Sequence, residues 1–144
     1  MKDSPKKIAC DTSAFVALLS KRDPEHKACI ETLDKQSKLS RFYTTESCLT
    51  EVSFLLPQNQ NLRQKLQQML ELLNIEVVAL SKTQLGRVYE LMDKYNDLPM
   101  DFADAALTAA CENQDIRYVF TLDRKDFSIY RPRHCARFKI LPES

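Results

Sequence analysis

The sequence is poor in glycine, with Gly86 as its only one, and it contains no tryptophan and two histidines. No stretch rich in proline, glycine and serine interrupts it, and we expect residues 1–144 to form a single domain. Its longest apolar runs are too short to cross a bilayer, which excludes a membrane-spanning protein. With 44% hydrophobic and 28% charged residues, the composition is typical of a globular chain that folds on its own.

Neither sign of charge is in excess, since 21 basic residues face 20 acidic ones and leave a net charge of +1. A nucleic-acid partner therefore has to be argued from local patches. The five cysteines are widely spread and form no C-x-x-C pair, a pattern typical of reduced thiols and not of a disulfide framework or zinc site. Because no secretory signal is visible either, we expect a cytoplasmic protein.

Segments typical of strands alternate with segments typical of helices along the whole chain. Apolar and β-branched runs predict strands at 7–10, 41–45, 75–80, 118–122 and 138–141. Helices are predicted at 14–19, from Pro24, at 46–56 and 59–73, from Ser81 or Thr83, and from Pro99. This alternation predicts an α/β fold whose central sheet is parallel or mostly parallel and covered on both faces.

Acidic residues follow two of the predicted strands at the point where each strand ends. Asp11 comes directly after the first strand, and Asp123 follows the strand at 118–122. Because the carboxyl ends of parallel strands meet at one edge of a sheet, we expect both carboxylates there. Asp101 and Asp104 lie three residues apart near the start of a predicted helix, where the helix dipole favours negative charge.

Each acid also has an ordinary structural interpretation. Asp11 suits a helix N-cap, Asp101 a first-turn charge, and Asp123 a turn residue. Glu51, in the helix predicted at 46–56, suits a solvated glutamate. Crowded carboxylates, however, repel one another and take up protons unless a cation neutralises them. Mg²⁺ and Mn²⁺ prefer oxygen ligands and support phosphodiester hydrolysis, so the acids taken together predict metal-assisted hydrolysis.

The order of these acids and their neighbours is more specific than any one of them. The segments are Asp11-Thr12-Ser13-Ala14-Phe15, a helix with Glu51, Asp104-Ala105-Ala106-Leu107, and Thr121-Leu122-Asp123-Arg124-Lys125-Asp126-Phe127. In this order the whole chain resembles the PIN-domain family. The stretches from Tyr95 to Ala105 and from Asp126 to Pro132 are similar to VapC-type toxins of bacterial toxin–antitoxin pairs.

The resemblance implies a three-layer α/β/α sandwich and a Mg²⁺- or Mn²⁺-dependent endoribonuclease that cuts structured RNA such as transfer or ribosomal RNA. It also implies two protein partners. One is a second copy of the chain, giving a homodimer. The other is a small antitoxin whose tail lies in the groove and obstructs the acids.

The resemblance also assigns roles to residues of this chain. The catalytic acids are Asp11, Glu51, Asp104 and Asp123; three of them bind metal directly, and Glu51 acts through a metal-bound water. Side chains expected to support these acids or orient them are Ser13, Asp97, Asp101 and Thr121. Relatives often have glycine in the turn before the last acid's strand, where this chain has Glu112-Asn113-Gln114-Asp115. We expect Asn113 to take the left-handed conformation there.

Basic residues follow Asp123 closely and offer contacts to RNA phosphates. The predicted RNA-binding residues are Arg124, Lys125, Arg131 and Arg133. The alternative is that these side chains form an ordinary solvated face. The aromatic residues Phe15 and Phe54 are expected in the core, although a surface that binds a partner is the alternative for both.

Three other functions remain to be weighed. A phosphatase of the haloacid type needs a second aspartate two residues after the nucleophile, where this chain has Ser13. A response-regulator receiver domain needs paired acids at the end of the first strand, where Cys10 precedes Asp11. An RNA-processing nuclease without an antitoxin, or a catalytically silent scaffold that binds RNA or protein, stays open as an alternative.

Overall fold

The computed structural model describes residues 4–57 and 59–143. Its strands are β1 (Lys6–Cys10), β2 (Ser40–Thr45), β3 (Glu76–Val78), β4 (Tyr118–Phe120) and β5 (Lys139–Leu141). Its helices are α1 (Thr12–Leu19), α2 (His26–Gln36), α3 (Glu46–Leu55), α4 (Gln60–Leu72), α5 (Lys82–Lys94), α6 (Phe102–Gln114) and α7 (Arg124–Ile129). Every strand predicted from the sequence is present.

The five strands form one sheet in the order β3-β2-β1-β4-β5, and every pairing between them is parallel. The chain leaves the central strand β1 toward β2 and β3 and then returns to the other side of β1 as β4. The point between β1 and β4 is therefore a topological switch point, where open α/β sheets bind ligands beyond the carboxyl ends of their strands. Cys10 pairs with Phe120 across it, so Asp11 and Thr121 leave the sheet side by side.

Each face of the sheet is covered by its own apolar cluster. On one face, Ala9 and Val119 pack with buried residues of α5, α6 and α7. On the other, Ile8 and Phe120 pack with buried residues of α1, α2 and α4. The arrangement confirms the three-layer α/β/α sandwich.

Helix α6 is the most deeply buried helix, because its alanines allow close packing against the sheet. The residues from Ala105 to Cys111 are all buried. Asp101 caps the helix, accepting a hydrogen bond from the backbone N–H of Asp104 at 2.8 Å. This packing holds Asp104, in the first turn, at the carboxyl edge of the sheet.

Several local predictions were wrong. The prolines predicted to open helices lie outside them, since α2 begins at His26 and α6 at Phe102. The left-handed residue is Asp115, with φ of 55°, and not Asn113, because α6 continues through Gln114. Helix α7 had no sequence prediction.

Of the two aromatic residues expected in the core, the structure confirms one and contradicts the other. Phe15 is fully buried, whereas Phe54, near the end of α3, is 82% exposed. Phe54 follows Val52, which is buried, and the turn of the helix carries it away from the core. Among the residues that the structure describes, no helix is long and apolar enough to cross a membrane.

Candidate active site

Asp11 lies at the head of α1 with its carboxylate turned into the protein. Asp11 is the N-cap residue of α1, as its position suggested, but its side chain makes no capping hydrogen bond and is free for another role. The Thr121 hydroxyl donates to its Oδ2 at 2.7 Å, and the Ser13 hydroxyl lies 3.4 Å from the same oxygen. The Cys48 thiol approaches its Oδ1 at 3.9 Å. Asp11 is only 1% exposed, and neighbouring side chains contact both oxygens of its carboxylate.

The hydroxyls of Ser13 and Thr121 also join the ends of β1 and β4. They lie 3.2 Å apart. Ser13 accepts a hydrogen bond from the backbone N–H of Leu122, and Thr121 accepts one from that of Asp123. Since Thr121 touches Asp11 as well, one hydroxyl fixes the Asp11 carboxylate relative to the backbone of Asp123.

Glu51 reaches the same edge from α3. The Thr12 hydroxyl donates to its Oε1 at 3.0 Å and lies 3.4 Å from the backbone oxygen of Cys48. Burial raises the pKa of Glu51, and the charges of Asp101 and Asp123 raise it further. Glu51 therefore belongs to the acidic cluster and is not simply a solvated helix residue.

Asp104 completes the cluster from the first turn of α6. The hydroxyl of Tyr130 donates to its Oδ2 at 3.1 Å. Burial raises the pKa of Asp104 to about 8, with repulsion from Asp11 and Asp101 as the next causes. Burial likewise raises the pKa of Asp11 to about 6, with Asp123 as a further cause. Proton uptake by crowded, buried acids is the behaviour expected where no cation compensates them.

Asp123 is the most exposed of the four predicted catalytic acids. Burial, followed by repulsion from Asp126 and Asp101, raises its pKa. The ion pairs among the described residues join Arg87, Arg117 and Arg133 to Glu90, Glu112 and Asp115, and none of them reaches this cluster. The cluster carries excess negative charge.

The donor set fits a hard divalent cation. The charged groups at this edge are carboxylates, supported by hydroxyl groups, and Mg²⁺ binds through one or two carboxylates while it keeps several waters. Within residues 4–57 and 59–143, no three Asp, Glu, His or Cys side chains already form a metal-binding group. Fewer protein ligands are enough for a hydrated ion of this kind.

The supporting acids differ in their placement. Asp101 caps α6, and its charge raises the pKa of Glu51, Asp104 and Asp123, so it lies within the cluster. Asp97 is exposed in the turn between α5 and α6. Its supporting role stays a prediction.

The basic residues predicted to bind RNA are divided between two places. Arg124 and Lys125 are the first residues of α7, directly after Asp123. The Arg131 guanidinium is bound to three backbone oxygens at the end of α7, the nearest at 2.6 Å. Arg133 pairs with Glu90 at 2.9 Å, and its backbone N–H donates to Glu112. Glu112 lies eight positions after Asp104, about 12 Å along α6, so the structure does not bring Arg133 to the acids.

Sequence reasoning missed three side chains that contact the acids. These are Thr12, Cys48 and Tyr130. Thr12 had a signal, because it directly follows Asp11 in the motif. The other two lie 37 and 26 residues from the acids that they contact, and only the tertiary fold brings them there.

Comparisons with known proteins find chains of similar sequence and fold. The chain is 27% identical over 134 residues to Ribonuclease VapC26 of Mycobacterium tuberculosis, covering 92% of this chain and 98% of that protein. The crystal structure of M. tuberculosis VapC20, a toxin that cleaves the sarcin–ricin loop, is similar with a TM-score of 0.68 and 21% identity, covering 81% and 90% of the two chains.

VapBC2 from Rickettsia felis, solved with a promoter DNA fragment, has a TM-score of 0.67 and 13% identity, covering 93% and 98%. The family model for the PIN domain matches residues 8–131. That match takes in the whole acidic edge, from Asp11 and Glu51 to Asp104 and Asp123. On this match, the chain belongs to the PIN domain family.

Proposed function

We propose that this chain is a Mg²⁺- or Mn²⁺-dependent endoribonuclease and the toxin of a toxin–antitoxin pair. The observation that carries the proposal is the acidic edge, where carboxylates from four separate segments crowd together beyond the reach of the described ion pairs. The names of its relatives, a ribonuclease and a toxin that cleaves an RNA loop, support RNA as the substrate class.

The chain's own residues would divide the work. Asp11, Asp104 and Asp123 would hold the divalent ion, one or two of them directly and the rest through its waters, and the ion would serve to activate water and stabilise the charge on the leaving oxygen. Glu51, fixed by Thr12, orients the attacking water. Ser13 and Thr121 keep the Asp11 carboxylate in one rotamer, so that little reorganisation is needed when substrate arrives. Asp101 and Asp97 support the site from the segment between α5 and α6.

The proposal is tested by incubating the purified protein with RNA and Mn²⁺ or Mg²⁺, with and without a chelator. Cleavage is expected to require the ion and to return when it is added back. A matched pair of variants separates the site from the surface: Asp11→Asn removes a buried acid at the site, whereas Asp34→Asn removes an exposed acid on α2. Cleavage that persists in chelator, or in full in Asp11→Asn, contradicts the proposal and favours a contaminating nuclease or a silent scaffold.

We further propose that RNA phosphates approach over the start of α7. Combined Arg124→Ala and Lys125→Ala substitutions are expected to weaken RNA binding by about tenfold and to reduce its salt dependence, since each phosphate contact releases counterions. Arg133→Ala is the control, because Arg133 pairs with Glu90 on α5 and its backbone N–H donates to Glu112 near the end of α6. Binding is measured by fluorescence anisotropy at several salt concentrations with a cleavage-defective variant. Equal effects from both changes would contradict this path for the RNA.

The proposed protein partners are a second copy of the chain and a small antitoxin. Two similar structures are of a toxin–antitoxin complex from Klebsiella pneumoniae and of VapBC from Salmonella typhimurium bound to DNA, which supports an antitoxin partner. Phe54 and Leu55 are 82% and 60% exposed, one helical turn beyond Glu51, and offer apolar surface next to that acid. Light scattering of the purified chain tests for the homodimer, and co-expression with the neighbouring reading frame tests for the antitoxin complex. A monomeric chain contradicts the first partner, and a chain that purifies without the co-expressed protein contradicts the second.

A further inference from the structure

Tyr130 contacts the acidic cluster from the end of α7, outside the residues assigned above. Its side chain is fully buried, and its ring centroid lies 5.1 Å from those of both Tyr95 and Phe127. Its hydroxyl donates to Asp104 Oδ2 at 3.1 Å. A buried tyrosine hydroxyl needs a hydrogen-bond partner, and a half-buried carboxylate needs a donor, so each group satisfies the other.

The end of α7 holds this ring in place. The backbone N–H of Arg131 donates to the Tyr95 hydroxyl at 2.7 Å, and the Arg131 guanidinium is bound to backbone oxygens that include that of Tyr130. On the other side of the contact, Asp101 caps the backbone N–H of Asp104. Both partners of the hydrogen bond are therefore fixed through their main chains.

The contact engages one oxygen of Asp104 and leaves the other for a different partner. Oδ2 accepts from Tyr130, and the structure assigns no hydrogen bond to Oδ1 among the described residues. The donor is a neutral hydroxyl, so it orients the carboxylate without neutralising its charge. A carboxylate held in this way keeps one oxygen for a further partner.

We propose that Tyr130 is a positioning residue of the nuclease site: its hydroxyl fixes the Asp104 carboxylate so that Oδ1 alone is offered to the divalent ion. The inference rests on the proposed function, because it concerns the ion that the acids bind. Helix α7 then serves the site from both ends, with Asp123 before its first residue and Tyr130 after its last.

The test compares Tyr130→Phe with Tyr95→Phe. Both substitutions remove one buried hydroxyl from the same aromatic cluster, but only Tyr130 touches Asp104. Mn²⁺ affinity is measured by electron paramagnetic resonance without RNA, and kcat and KM are measured with RNA. Tyr130→Phe is expected to weaken Mn²⁺ binding by about tenfold and to lower kcat with little change in KM, as for other residues that orient metal ligands. Tyr95→Phe, which touches Tyr130 but not Asp104, should lower the melting temperature and weaken Mn²⁺ binding much less than Tyr130→Phe does.

The outcomes are distinguishable. Wild-type Mn²⁺ affinity in Tyr130→Phe, with binding lost in Asp104→Asn, overturns the role of Tyr130 and leaves the proposed function standing. Failure of the wild-type protein to bind Mn²⁺ overturns both. Should Tyr130→Phe not fold, 3-fluorotyrosine at position 130 keeps the hydroxyl, and its ¹⁹F resonance is expected to shift with saturation as Mg²⁺ is added. A resonance that does not respond to Mg²⁺ overturns the inference.

Discussion

An Asp104→Asn variant is expected to lose about 100- to 1,000-fold of the RNA-cleaving activity while it keeps the wild-type fold, a loss typical of removing one electrostatic group from an active site. Burial and repulsion from Asp11 raise the pKa of Asp104 to about 8, and Tyr130 holds its carboxylate. Asparagine has nearly the same shape, so the packing of α6 is preserved. What is lost is a negatively charged oxygen ligand.

The measurement is single-turnover cleavage of a defined RNA at saturating Mn²⁺, with circular dichroism to verify the fold. Asp34→Asn makes the same chemical change on the exposed surface of α2, and its activity should stay within about twofold of wild type. An Asp104→Asn protein that retains a third or more of the activity, at the same Mn²⁺ requirement, would remove Asp104 from the proposed site.

The sequence was sufficient to place two of the acids because strand ends follow from simple patterns. Asp11 and Asp123 each come after a buried apolar run, and a parallel sheet brings such ends to one edge. The pairing of Cys10 with Phe120 in neighbouring strands realises this expectation. Asp104 was indicated by its place near the start of a helix, whereas Glu51 was selected by resemblance, since a helix alone gives no reason for it to face the cluster.

What the sequence did not predict depends on contacts between distant segments. Helix α7 is only six residues long and carries too little periodicity to be recognised. Tyr130 therefore had no predicted place, and neither did its hydrogen bond to Asp104. Arg133 illustrates the opposite error: it follows Asp123 by only ten positions, yet its backbone N–H donates to Glu112, near the other end of α6. Closeness in sequence was a poor guide to closeness at the site.

The stability of the metal-free protein is expected to fall as pH rises from about 4 to about 8. The pKa of Asp104 is raised from 3.8 to about 8 in the folded chain, and that of Asp11 to about 6. Between these values the folded protein binds protons that the unfolded chain has released, so the free energy of unfolding decreases with pH. Below about pH 4 both states are protonated, and the stabilisation from these two acids is fully present.

Two experiments distinguish titration of the acidic edge from titration of other groups: adding Mn²⁺ and substituting Asp104. Both are followed by thermal denaturation across the pH series. Mn²⁺ at about pH 8 should restore the melting temperature, because the ion takes the place of the lost protons and binds only the folded chain. Asp104→Asn should flatten the pH dependence and melt at least about 3 °C higher than wild type at pH 8 without metal, since its neutral amide has no charge to desolvate. An Asp104→Asn protein whose melting temperature depends on pH as strongly as that of the wild type would mean that the acidic edge does not cause the loss of stability. The two properties are linked, since the same burial and repulsion that weaken the metal-free fold attract a cation to this site.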